Sequence, residues 1–211
     1  MNRRIIGYYN YTVVLTYIGM ISACIGIFLA MDGMFSLSVW CLMFAGPCDM
    51  FDGAVAATKP RDENQKRFGI QIDSLCDLIG FGVLPGVFVY SVSQNKLTAA
   101  VAAVFISLAA VIRLAYFNVL EENRQKEETG HRKSYLGVPV TTIALVLPIV
   151  HVLNVNGIVP GTYCYQIAAA LVGIGFLTPV SIKKPQLAGK IAIIVVGLLE
   201  AAAMLFFGNP S

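Results

Sequence analysis

Four aspartates stand in two closely spaced pairs within segments that are otherwise apolar. Asp49 and Asp52 are three residues apart, and Asp73 and Asp77 are four residues apart. In a helix, these spacings place both members of a pair on one face. A carboxylate inside an apolar, membrane-spanning segment is costly unless another group compensates its charge. The two pairs are therefore candidates for a functional site.

The charged stretch from Lys59 to Arg67 predicts a turn at the membrane surface between two antiparallel helices that carry these pairs. With about 1.5 Å of rise per residue, the first pair lies roughly 10–15 Å from this turn and the second roughly 8–13 Å. All four acids then share one layer, where they repel one another unless a cation lies among them. Hard divalent cations prefer such oxygen ligands. The sequence predicts a site for Mg²⁺, Mn²⁺ or Ca²⁺ with the ligands Asp49, Asp52, Asp73 and Asp77.

The composition predicts an integral membrane protein. Of the 211 residues, 57% are hydrophobic and only 13% are charged, whereas ordinary soluble domains carry about 25% charged residues. We expect an all-α, polytopic membrane helix bundle that forms a single catalytic domain over residues 1–211, with residues 1–10 as an interfacial stub. Apolar runs long enough to cross a bilayer predict seven spans at about 11–31, 35–58, 69–93, 97–120, 136–155, 163–182 and 190–207.

The distribution of basic residues predicts the orientation. If the spans alternate, one side carries Arg3, Arg4, Lys59, Arg61, Lys66, Arg67, Arg124, Lys126, Arg132, Lys133, Lys183, Lys184 and Lys190, and the other carries only Lys96. By the positive-inside rule, the N-terminus and the predicted site face the cytoplasm of a cell-membrane protein. We expect a lipid bilayer as its surroundings and no nucleic acid as a partner.

The motif around the acids resembles the signature of the CDP-alcohol phosphotransferases. The residues that carry the resemblance are Asp49, Asp52, Gly53, Ala56, Gly69, Asp73 and Asp77. These membrane enzymes move a phospholipid phosphate from a CDP-linked donor to an alcohol. The resemblance implies a six-helix core, with the last predicted span as one extra C-terminal helix, and a homodimer. It also implies two metal ions, Mg²⁺ or Mn²⁺, held by the four aspartates, with Asp77 as the general base.

The same resemblance implies which residues bind the CDP-linked donor, namely Asp49, Asp52, Gly53, Ala56, Gly69, Lys59 and Arg67. Gly53 and Ala56 lie one turn apart, so they either let a nucleotide approach the helix or allow close helix packing. One position departs from the family pattern, because the family usually has arginine where this chain has Ala57. Lys59, Arg61 and Arg67 are the candidates to supply the missing charge.

Three further stretches resemble the phosphatidylserine synthase branch of this family: DSLCDLIGFGVLP from Asp73, RLAYFN from Arg113 and YLGVP from Tyr135. The branch implies CDP-diacylglycerol as donor and L-serine as acceptor. Arg113 lies about 10 Å from the predicted cytoplasmic end of its span, level with the aspartates. It is the candidate for the serine carboxylate, with Asn118 as an orienting amide, or it only neutralises a carboxylate. Tyr116 stands where the branch commonly has another arginine.

Other functions remain open from the sequence. Within the family, the acceptor could be an inositol phosphate, a glycerol phosphate or an archaeal lipid. A phosphorylated acceptor would require a larger basic pocket, and Arg113 is the evident basic residue within a span. A cation-coupled transporter would also place carboxylates within its spans.

Overall fold

The computed structural model describes residues 6–9, 11–127, 134–183 and 187–208. Its helices are α1 (Val14–Met31), α2 (Phe35–Ala56), α3 (Glu63–Asp77), α4 (Leu84–Val92), α5 (Lys96–Glu127), α6 (Ile143–Val155), α7 (Tyr163–Leu177) and α8 (Leu187–Phe207). A π-helical segment, Leu78–Val83, joins α3 to α4, and short 3₁₀ turns at Tyr11–Val13 and Val140–Thr142 precede α1 and α6.

The predicted all-α membrane bundle is confirmed. The helix from α3 through α4 forms one continuous span, so the described residues contain seven apolar helical segments. Four of these are long and apolar enough to cross a membrane, and three are shorter apolar helices. Two three-residue strands, β1 (Ser134–Leu136) and β2 (Ser181–Lys183), pair antiparallel and connect the chain after α5 to the chain after α7.

Small residues bring α1 and α2 close together. Gly19, Ala23, Gly26 and Ala30 form a buried stripe along α1 at helical spacing. A Cβ atom at Gly26 would lie 2.9 Å from the Cβ of Cys41 on α2. Without a side chain at this position, the two backbones can approach closely, as is common between membrane helices. This contact fixes α2, and with it the first aspartate pair, relative to α1.

The turn between α2 and α3 is shorter than the sequence predicts. The charge pattern places these residues outside the helices up to Arg67, but α3 begins at Glu63. The Asp62 carboxylate accepts a hydrogen bond of 2.8 Å from the backbone N–H of Gln65. This N-cap satisfies one of the free amide groups at the helix start and allows the charged residues to form its first turns. Three predicted span bounds are corrected: the span predicted at 69–93 begins at Glu63, α6 begins at Ile143 and not at 136, and α7 ends at Leu177 and not at 182.

The π-helical segment widens the second motif helix just after Asp77. The hydroxyl of Ser107 on α5 donates a 3.0 Å hydrogen bond to the carbonyl oxygen of Gly82 within this segment. Such an added partner compensates for the disturbed hydrogen-bond pattern of a π segment. α5 therefore supports the span at the point where its helical geometry changes.

A buried polar cluster holds the other end of the bundle, where α2 begins. The Ser36 hydroxyl donates to the carbonyl of Gly208 (2.6 Å) and lies 3.0 Å from Nε2 of His151. Nδ1 of His151 lies 3.1 Å from the hydroxyl of Tyr165. His151 therefore packs inside the bundle as a hydrogen-bonded helix residue.

The additional helix α8 packs against α6 and α2. Its inward face carries Met204 and Glu200, both buried. Neither carboxylate oxygen of Glu200 has a hydrogen-bond partner within the described part of the chain. α8 is therefore an integral part of the bundle, and Glu200 faces its interior.

We predict that Gly86→Ala destabilises the protein. A Cβ atom at Gly86 would lie 2.9 Å from Oγ of Ser107 and 3.0 Å from the carbonyl oxygen of Ala103. Because backbone atoms cannot move aside easily, we expect a loss of roughly 1–3 kcal/mol, the usual cost of overpacking. Thermal unfolding in detergent measures it. Gly197→Ala is the matched control, since no atom lies within 4 Å of its new Cβ. An equal melting temperature for both variants would contradict the close contact of α4 with α5.

Candidate active site

The four predicted aspartates meet at one place, which we call the acidic cluster (Asp49, Asp52, Asp73 and Asp77). Oxygens of the first three lie within 4.8 Å of one another. Asp77 joins them because its carboxyl group is within hydrogen-bonding distance of Asp49. The carboxyl groups of Asp52 and Asp73 are also within hydrogen-bonding distance of each other. The prediction that α2 and α3 bring both pairs into one layer is confirmed.

The acidic cluster fits a divalent cation. Asp52 is buried, and the other three acids are half-buried. Oδ1 of Asp73 is buried and makes no hydrogen bond to any described residue. An unsatisfied carboxylate oxygen beside other carboxylates provides the hard, charged ligand that Mg²⁺, Mn²⁺ or Ca²⁺ prefers. Asp49, Asp52 and Asp73 would hold the ion, with Asp77 adjacent.

Helix α1 forms a third wall of the site, which the sequence reasoning missed. The pocket at the acidic cluster is lined by Thr16, Gly19, Met20, Ala45, Cys48, Asp49, Asp52, Cys76, Asp77, Gly80 and Phe81. Oγ1 of Thr16 donates a 3.2 Å hydrogen bond to Oδ2 of Asp52. The sequence gives no signal for Thr16, because its contact with Asp52 depends on how closely α1 packs against α2. Thr16 orients a candidate metal ligand from outside the motif.

Arg113 lies beside the acidic cluster, at the depth that the sequence predicts. It is 6% exposed on α5 and close enough to Asp49 for electrostatic interaction. Its guanidinium carbon lies 4.3 Å from the ring centroid of Phe117, which is one turn further along α5. This stacking restricts the side chain and shields its charge from lipid. A fixed cation thus borders the acids inside the bundle.

Asn118 contacts the second motif helix. The Ser74 hydroxyl donates a 2.7 Å hydrogen bond to Oδ1 of Asn118, and both side chains are partly buried. Because the Asn118 oxygen accepts this hydrogen bond, the amide N–H groups of Asn118 point away from Ser74. Because Ser74 follows Asp73 directly, this hydrogen bond connects α5 to the acidic cluster.

The residues predicted to bind the donor form two groups, namely small residues near the acidic cluster and exposed cations at the turn. Gly53 and Gly69 lie on the turn side of the acidic cluster, and a Cβ at Gly53 would have no atom within 4 Å. Ala56 is half-buried at the end of α2. Lys59 and Arg67 are both exposed, and Nζ of Lys59 lies 5.7 Å from the ring centroid of Tyr11. The open space at Gly53 favours access for a ligand over close helix packing.

An apolar helix bundle with a carboxylate cluster and a buried arginine beside it defines an integral membrane protein whose acidic cluster fits a divalent cation. The family model described as CDP-alcohol phosphatidyltransferase matches residues 9–181. The chain belongs to the CDP-alcohol phosphatidyltransferase family.

Three relatives illustrate the similarity within the family. A CDP-diacylglycerol–serine O-phosphatidyltransferase of Helicobacter pylori is 31% identical over 134 residues, which cover 62% of this chain and 51% of that protein. An archaetidylserine synthase of Methanothermobacter thermautotrophicus is 31% identical over 127 residues (60% and 51%). A CDP-diacylglycerol–serine O-phosphatidyltransferase of Methanocaldococcus jannaschii is 26% identical over 179 residues (85% and 77%). The match spans about half the length of the first two proteins.

We predict that Thr16→Val weakens metal binding about tenfold, since outer hydrogen bonds to a metal ligand typically contribute 10- to 100-fold in affinity. The substitution keeps the shape of the side chain and removes the hydroxyl that orients Asp52. Binding of Mn²⁺, measured by electron paramagnetic resonance, tests this.

Thr98→Val is the control, because Thr98 is exposed and its hydroxyl bonds to the backbone of Asn95 far from the site. If both variants bind Mn²⁺ as the unmodified protein does, Thr16 has no orienting role.

Proposed function

We propose that this protein transfers the phosphatidyl group of CDP-diacylglycerol to the hydroxyl of L-serine, giving phosphatidylserine and CMP. The single observation that carries the proposal is the acidic cluster with the buried guanidinium of Arg113 beside it. The first group suits a metal-bound diphosphate, and the second suits a small anionic acceptor. Membership of the family and relatives named for serine support the same reaction.

The position of the site suits an amphiphilic donor. A CDP-linked lipid has its diphosphate at headgroup level and its acyl chains in the bilayer. Asp52 lies one turn from the end of α2, so the acidic cluster is close to the end of the bundle where α2 turns into α3. The diphosphate can then reach the acids while the chains remain in lipid. Gly53 and Ala56 leave room for the nucleotide, Gly69 lies on the same side of the acidic cluster, and Lys59 and Arg67 lie at the exposed rim.

Divalent ions held by Asp49, Asp52 and Asp73 would neutralise the diphosphate and stabilise CMP as the leaving group. We assign two ions, Mg²⁺ or Mn²⁺, by family resemblance. Asp77 lies deeper along α3 and accepts the proton of the serine hydroxyl as general base. The serine oxygen forms a bond to the phosphatidyl phosphorus, and the bond between that phosphorus and the bridging oxygen breaks. That oxygen leaves with CMP.

Arg113 would bind the serine carboxylate. A guanidinium can donate two parallel hydrogen bonds to a carboxylate, and its burial makes the pairing stronger than in water. Asn118, held by Ser74, would donate from its amide to the same substrate. In this arrangement, specificity for an amino acid comes from α5, whereas phosphate chemistry comes from α2 and α3.

We further propose that the bundle forms one catalytic domain in a cell membrane, with its site open to the cytoplasm, and that it acts as a homodimer. The basic residues concentrated at the α2–α3 turn, together with the positive-inside rule, support the orientation. This side also holds cytidine nucleotides.

The same chemistry with another acceptor is the second candidate. Inositol phosphate or glycerol phosphate would require more than one cation near the acidic cluster, and Arg113 is the buried basic residue within the described spans. A transporter is disfavoured because carboxylates at a transport site do not need the open, glycine-bordered space found at Gly53. A phosphorylated acceptor would give a different phospholipid product, and a transporter would release no CMP.

The test is CMP formation by the purified protein from CDP-diacylglycerol with L-serine, inositol phosphate or glycerol phosphate in turn. We expect CMP and phosphatidylserine with serine only. A chelator should abolish the reaction, and Mg²⁺ or Mn²⁺ should restore it, because the acidic cluster binds the diphosphate through cations. If the protein forms CMP with a phosphorylated acceptor and not with serine, that acceptor replaces serine as the proposed substrate. No CMP with any acceptor would contradict the proposed reaction.

We predict that Arg113→Lys raises the KM for serine at least tenfold and changes the KM for CDP-diacylglycerol less than threefold. Lysine keeps the charge but cannot form two parallel hydrogen bonds with a carboxylate. Initial rates with each substrate varied separately measure both constants.

Lys96→Gln is the control, since Lys96 lies at the opposite end of the bundle, where its Nζ donates to the carbonyl of Tyr90. Full activity of Arg113→Lys with an unchanged KM for serine would exclude Arg113 as the carboxylate-binding residue.

A further inference from the structure

Arg61 differs from the other cations of the α2–α3 turn. Lys59, Lys66 and Arg67 are exposed, whereas Arg61 is partly buried. A long basic side chain at a membrane surface normally extends into water. Arg61 instead folds back toward the protein, and it does so on the side of the turn that faces α3.

The guanidinium of Arg61 lies directly against the backbone of Gly69. Its Nη1 atom is 3.0 Å from the position that a Cβ atom at Gly69 would occupy. A side chain at this position would require the guanidinium to shift by a few tenths of an ångström. Gly69 precedes Asp73 by four residues, or about one helical turn of 5.4 Å. The cation is therefore placed about one turn above the acidic cluster, on the side where the chain turns.

The end of α2 near the turn also borders open space. Gly53 follows Asp52 directly on α2, and a Cβ atom added to it would have no neighbouring atom within 4 Å. Arg61 makes no hydrogen bond or ion pair with any residue that the structure describes. A cation with unused donors, about one turn from the acidic cluster, suits a ligand with two linked phosphates.

We propose that Arg61 binds the nucleotide-side phosphate of the CDP-linked donor. This inference rests on the proposed function and deepens it by assigning a further donor-binding residue. The acidic cluster holds the diphosphate from below through its cations, and the guanidinium binds it from the turn side. Arginine suits this role because its planar fork donates two hydrogen bonds to a phosphate. The guanidinium supplies the positive charge that this chain lacks at Ala57, and the glycine at position 69 makes room for it.

The experiment compares Arg61→Ala with Lys66→Ala in the purified protein. Both variants remove one positive charge from the same turn, but Lys66 is exposed and has no assigned role. Affinity for CDP with Mg²⁺, measured by calorimetry without any acceptor, is the main readout. We expect Arg61→Ala to weaken CDP binding about tenfold or more, since a hydrogen bond to a charged group is lost. Lys66→Ala should change it less than threefold.

Two further variants separate a binding role from a structural one. Arg61→Lys keeps the charge and should recover only part of the affinity for CDP. Gly69→Ala should weaken CDP binding because its Cβ displaces the guanidinium, and adding Arg61→Ala to it should cause little further loss. Cytidine, which has no phosphate, should bind all variants equally. Melting temperatures show whether each variant is folded.

The outcomes distinguish this inference from the proposed reaction. Equal CDP affinities for Arg61→Ala and Lys66→Ala would overturn the role of Arg61, even if the unmodified protein makes phosphatidylserine. A selective loss with Arg61→Ala would support it, even if serine proved to be the wrong acceptor. If Arg61→Ala does not fold, the CDP affinities of Arg61→Lys and Lys66→Arg are compared instead. A loss with Arg61→Lys alone supports the role of Arg61, and equal affinities overturn it.

Discussion

The mutual repulsion of four carboxylates inside a membrane-spanning bundle is the constraint on which the rest of the structure depends. Charges of like sign at hydrogen-bonding distance are strongly unfavourable in a medium of low dielectric constant. The acidic cluster nevertheless concentrates oxygens of Asp49, Asp52 and Asp73 within 4.8 Å. A divalent cation bound among these oxygens would compensate the repulsion. The surrounding helices have to hold the acids together before any cation or substrate arrives.

The bundle meets this requirement with contacts from outside the motif. α1 approaches α2 through a stripe of small residues and contributes a threonine hydroxyl to Asp52. α5 places Arg113 beside the cluster and connects to α3 through the hydrogen bond from Ser74 to Asn118. Neither helix carries an acid of the cluster. Together they hold the two aspartate pairs in place, α1 through α2 and α5 through α3, which preorganises the site.

Much of the site could be predicted from the sequence because aspartate spacing and depth in a membrane helix are local properties. The convergence of the acids and the level of Arg113 follow from a rise of about 1.5 Å per residue. Thr16 could not be found in this way, because its contact with Asp52 depends on how closely α1 approaches α2. The start of α3 was also missed, since the Asp62 cap outweighed the polarity of the residues that follow. The position of Arg61 depends on the folded shape of the turn, which no spacing rule describes.

The π-helical segment from Leu78 to Val83 separates the span into two halves with different registers. Each residue of an α-helix turns the chain by about 100°, so a wider turn rotates everything beyond it. The face of α3 that carries Asp73 and Asp77 is therefore rotated, relative to the face that α4 packs against its neighbours, from where a continuous α-helix would place it.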